Sequence, residues 1–123
     1  MNVRVVADDL IWRSRLVAAV ERAGAIAVHD AGEPADLAIV DLNGRAYDGV
    51  AAISAAAAGG ATVIAVAQHE DLETRKRALT AGARRVFSYQ KMFSDGTQVV
   101  TDLIEGRFAA TAPADPAPVE TPA

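Results

Sequence analysis

The stretch LAIVDLNGRAYDGVAAISAAAAGGATVIAVA, residues 37–67, decides the fold. LAIVDL (37–42) and TVIAVA (62–67) are unbroken apolar runs of strand length. Between them GVAAISAAAA (49–58) has the composition of a helix, and its alanines permit close packing before Gly59-Gly60 ends it. Strands without polar alternation are buried on both faces, so strand, helix and strand in this order predict a parallel sheet wrapped by helices.

Working outward, VRVVA (3–7) reads as a first strand and residues 10–23 as a helix, with Ile11, Leu16, Val17 and Val20 at helical spacing and Gly24 as the stop. AIAVH (25–29) is a second strand. DLETRKRALTA (71–81) predicts a helix with Leu72 and Leu79 turned inward and Gly82 closing it, and RVFS (85–88) a short fifth strand. Gly96-Thr97 leads into a last helix over 98–108, with Val99, Val100, Leu103 and Ile104 as its buried stripe. One connection is short. Residues 30–36 span at most about 24 Å, so the second helix is missing or cut to about one turn at Gly32-Glu33-Pro34-Ala35.

Composition bounds the function. With 123 residues, 51% hydrophobic and 23% charged, the chain suits one small domain over 1–108. Residues 109–123 carry four of the five prolines and no aromatic residue, so they read as a linker or disordered tail. No apolar run is long enough for a membrane span and residues 1–8 lack a signal-peptide plan, so a soluble cytoplasmic protein is expected. Without cysteine, thiolate chemistry is excluded, and with only His29 and His69 a histidine-rich metal site is not expected, leaving a hard, oxygen-bound cation as the candidate metal. A net charge of −4 argues against nucleic acid as the main partner.

Three carboxylates stand where strands end. Asp8-Asp9 closes the first strand and Asp41 the third, and the carboxyl ends of neighbouring strands border one crevice. If the three converge they repel unless a divalent cation offsets them, and oxygen-only ligands favour magnesium. Alternatively they cap the following helices or face water.

These residues resemble a known family. Ala7-Asp8-Asp9, the segment DLNGRAYDG (41–49) with Asp-Gly seven and eight residues after Asp41, and Gly82-Ala83 are similar to the receiver domain of bacterial response regulators over about residues 2–108. The resemblance implies a flavodoxin-like, doubly wound sheet of five parallel strands in the order 2-1-3-4-5. It also implies Asp41 as phosphoacceptor from a histidine kinase or small phosphodonor, and Mg²⁺ held by Asp8, Asp9, Asp41 and the Asn43 carbonyl. A cation there offsets charge on the nucleophile and on the incoming phosphoryl oxygens.

Other family positions are not met. Ala67 stands where the family has Ser or Thr, Val86 where it has an aromatic residue, and Tyr89-Gln90 where it has Lys-Pro. Lys91 is a possible substitute if the backbone bulges, and Tyr89 either hydrogen-bonds into the acidic pocket or covers it, with the cover preferred. Trp12 reads as a packing or lid residue, and His69 as a solvent-exposed loop histidine. Arg75, Lys76, Arg77, Arg84 and Arg85 place five cations around the helix after the fourth strand and the fifth strand. In receivers that surface, with the last helix, docks partners; the plain alternative is a solvated face balanced by Glu70, Asp71 and Glu73.

The expectation is therefore an atypical receiver, not an enzyme, that signals through protein contacts, with a homodimer as one form and with phosphorylation-dependent switching weakened or lost. A working Mg²⁺-dependent phosphoacceptor is the alternative. A small metal-dependent phosphatase or nucleotide-binding domain is a third, which lacks a second acid close after the nucleophile.

Overall fold

The computed structural model describes residues 1–29 and 32–108. Five strands and four helices run in the order β1 (Asn2–Val6), α1 (Leu10–Arg22), β2 (Ile26–Val28), β3 (Leu37–Asp41), α2 (Gly49–Ala58), β4 (Thr62–Ala67), α3 (Leu72–Ala81), β5 (Ala83–Ser88) and α4 (Tyr89–Ile104). The sheet is parallel throughout and ordered β2-β1-β3-β4-β5, as expected from the sequence. The proposed tail, 109–123, lies outside the described residues.

All five residues of β3 are buried, as its apolar run requires. One face of the sheet packs against α1 and α4 through large side chains, among them Val5, Leu16, Ile39, Ile64, Met92 and Leu103. The other face packs against α2 and α3 around Ile53 and Val63, with Ala38, Ala56, Ala65, Ala78 and Ala83 beside them. Gly82 takes φ +126°, and a Cβ there would stand 2.8 Å from the Ala57 Cβ, so a glycine is needed where α3 ends beside α2.

The short connection carries no helix over residues 32–36. Asn2 donates from Nδ2 to the Pro34 carbonyl at 3.3 Å, and the Arg4 guanidinium donates to the Glu33 carbonyl. Polar side chains of β1 thus bind this segment on the side of the sheet where the second helix is missing, and Ile26 is left 60% exposed.

Two helices differ from expectation. Leu72 and Leu79 of α3 are exposed, and the helix docks through Ala78, which is fully buried. The small side chain brings α3 close to α2 and β5, while Arg75 reaches past it to donate to the Val86 carbonyl at 3.0 Å. The last helix begins at Tyr89 instead of 98 and ends at Ile104. Ser88 caps it by accepting from the Lys91 amide at 3.1 Å, and Gly96, read as a helix start, is buried inside it against Ala19. The helix kinks at Asp95, whose φ of −128° and ψ of 25° are non-helical, and continues.

Candidate functional site

The carboxyl ends of β1, β3 and β4 open on a cleft of about 380 Å³ lined by Asp9, Trp12, Asp41, Asn43, Gln68 and Tyr89. Asp41 is its buried acid, 3% exposed. Its Oδ1 accepts from the Asn43 amide at 3.0 Å and from the Tyr89 hydroxyl. The hydrogen-bonded reading of Tyr89 therefore replaces the simple cover, and the residue sits at the start of α4, not at the end of β5. Its ring packs against Trp12 at a centroid separation of 4.8 Å and a tilt of 52°, so Trp12 is a packing residue for Tyr89. Burial, followed by the hydrogen bond to Asp41 and that carboxylate's charge, raises the Tyr89 pKa far above the phenol range, and the hydroxyl stays protonated.

Asp8 and Asp9 have separate tasks. Asp8 Oδ2 accepts from the Arg45 and Ala46 amides at 2.8 and 2.7 Å, which fastens the β3–α2 loop to the end of β1 and lowers the Asp8 pKa. Asp9 is the N-cap of α1, its Oδ1 accepting from the Ile11 and Trp12 amides at 3.0 Å each. Asp48 caps α2 in the same way through the Ala51 amide at 3.1 Å. Among the described residues, no three acidic or histidine side chains are gathered closely enough to hold a metal ion. Asp8 thus serves as a loop anchor, Asp9 as a helix cap and Asp41 as the partner of Tyr89, and of the set expected for Mg²⁺ the cleft brings together Asp9, Asp41 and Asn43.

Tyr47 escaped the sequence reading. Its hydroxyl donates to the Asp41 carbonyl at 2.6 Å and lies 3.1 Å from the Val6 carbonyl, tying the ends of β3 and β1 together. Burial and the charges of Asp41 and Asp8 raise its pKa beyond the phenol range. A Cβ on Gly44 would fall 2.1 Å from the Tyr47 ring, so the glycine three residues before it was the one available signal. Gln68, which also lines the cleft, had none.

The remaining expected residues are dispersed. Ala67 is buried at the end of β4 and brings no hydroxyl, and Val86 is half-buried beside α3. Lys91 lies in the first turn of α4 and pairs with Asp95 at 3.0 Å, so it does not serve Asp41. Arg75 is spent on the Val86 carbonyl, Lys76 and Arg77 line a groove between α2 and α3, and the Arg85 guanidinium lies 5.5 Å from the Phe108 ring centre. His69 is exposed, as expected. No described helix is long and apolar enough to cross a membrane.

No family model matches the sequence, and no curated protein matches it. Solved structures do resemble it. The Francisella response regulator 1452 receiver domain superposes with a TM-score of 0.70 at 14% identity, over 86% of this chain and 98% of its own. The signal receiver domain of the putative response regulator NarL from Mycobacterium tuberculosis gives 0.68 at 22% identity, over 86% and 97%. A response regulator from Burkholderia pseudomallei gives 0.65 at 16% identity, over 88% and 72%. At such identities the likeness concerns the fold, and together with the strand order it establishes that this chain has the fold of response regulator receiver domains.

Proposed function

We propose that this chain is an atypical receiver domain, a non-enzymatic signalling module read by a partner protein through α3, β5 and α4, with phosphorylation-dependent switching weakened or lost. The observation that carries this reading is the hydrogen bond from Tyr89 to Asp41 Oδ1, the carboxylate of the acceptor position. A phosphoryl group on Asp41 would stand beside that bond if carried on Oδ2 and would displace it if carried on Oδ1. It would meet no hydroxyl at Ala67, and among the described residues no lysine or arginine pairs with Asp8, Asp9 or Asp41. Each missing charge-assisted contact is worth about 1.5–3 kcal/mol.

A second reading keeps Asp41 as a working Mg²⁺-dependent acceptor for a histidine kinase. It is favoured by the burial of Asp41 at the end of β3, and the Burkholderia response regulator was solved with a phosphorylated aspartic acid and a calcium ion. In this chain the ion would meet Asp9 and Asp41 through their Oδ2 atoms, since Oδ1 of Asp9 caps α1 and Oδ1 of Asp41 accepts from Asn43 and Tyr89. Intact-mass measurement after treatment with acetyl phosphate and Mg²⁺ separates the two. The first reading predicts little or no added phosphoryl group; full occupancy that is lost in Asp41→Asn supports the second.

A further inference from the structure

The last helix has two unequal halves, and the smaller one ends on the buried acid. Beyond the kink at Asp95, residues 96–104 are anchored by Val99, Val100 and Leu103, each at most 3% exposed. Before it, residues 89–94 reach the core through Met92 and the half-buried Tyr89, while Phe93 is 63% exposed beneath the Arg15 guanidinium. Two further side-chain bonds of this half, Lys91 to Asp95 and the Ser94 hydroxyl to the Gln90 carbonyl, lie within the helix itself. Two more tie it to the sheet: the Lys91 amide donates to the Ser88 hydroxyl at the end of β5, and the Tyr89 hydroxyl donates to Asp41 at the end of β3.

We propose that Tyr89 is a latch: its hydroxyl on Asp41 Oδ1 holds residues 89–94 closed over the cleft, and when that bond is lost this segment, tethered at Ser88 and at Asp95, loosens from the cleft while 96–104 stay in place. The inference rests on the proposed function only in taking Asp41 as the position where a signal would arrive. Several observations support it. The latch joins a neutral phenol to a carboxylate, and hydrogen bonds to charged groups are the strong ones. Because Tyr89 stays protonated, the donor is present at every physiological pH. The break at Asp95 also removes helical continuity where the two halves meet, so the first can move without unpacking the second.

Amide hydrogen exchange on the full chain tests the latch without any phosphodonor. Tyr89→Phe keeps the ring against Trp12 and removes only the hydroxyl. Exchange over residues 89–94 is expected to rise about tenfold, the effect of losing one hydrogen bond to a charged acceptor, with 96–104 unchanged within about twofold. Asp41→Ala should produce the same local increase, and the double variant no more than either single one, since both remove the same bond. Unchanged exchange at 89–94 in Tyr89→Phe overturns the latch, as do an equal rise across 96–104 or additive effects in the double variant. Phosphorylation of the wild-type chain, measured separately, bears only on the proposed function, so a domain that takes up phosphate and switches would refute that reading and leave the exchange result to stand or fall by itself.

Discussion

The two faces of the sheet are built differently. Against α1 and α4 the core uses Leu16, Ile39, Ile64, Met92 and Leu103; against α2 and α3 it uses mainly alanine, with Ile53 as its largest buried side chain. Large side chains give a deep interface that tolerates a kinked helix and holds Trp12 and Tyr89 over Asp41. Small ones bring helices close and leave no slack, as at Gly82 beside Ala57. The site thus lies over the large-residue face, beside the kinked α4, while α3, one element of the proposed partner surface, rests on the small-residue face.

Truncation should break the first face most. Leu103→Ala is expected to lose about 2–5 kcal/mol in denaturant unfolding, because a fully buried side chain leaves a cavity. The opposite change tests the second face: Ala78→Leu should cost about 1–3 kcal/mol by overpacking, whereas an unchanged midpoint would mean that α3 is not close-packed. Ser88→Ala removes the cap of α4 and should cost about 1 kcal/mol, read by the same unfolding curves.

The smallest effects are those of pH. Tyr89 and Tyr47 have folded pKa values raised above the unfolded value, so their contribution is complete below about pH 10 and is lost as pH rises through the folded values. Asp8 is shifted downward, so its contribution is present above about pH 4 and is lost as pH falls through its folded value, freeing the loop at Arg45-Ala46. Thermal midpoints measured across pH should therefore fall at both extremes, with Tyr89→Phe flattening part of the alkaline limb.

Much of this was legible in the sequence. The strand–helix–strand unit at 37–67 could be read almost to the residue, because continuous apolar runs and a glycine pair leave few alternatives. The start of α4 could not, since Gly96 and Thr97 have the composition of a break, while Ser88 is at once the last residue of β5 and the cap ahead of Tyr89. Leu72 and Leu79 were expected inward because periodicity weighs hydrophobicity and not size, and on an alanine-lined face the small Ala78 makes the contact. In the site, the positions of Asp8, Asp9 and Asp41 followed from strand ends. Their separate bonds did not, because backbone amides of the β3–α2 loop and of the first turn of α1 compete for them and no spacing records which amide wins.

The most direct test of the weakened switch is the amide NMR spectrum of the wild-type chain before and after acetyl phosphate and Mg²⁺. The account predicts that resonances of Leu72–Ala81 and Ala83–Ser88 stay in place. Shifts across both elements that vanish in Asp41→Asn would contradict it.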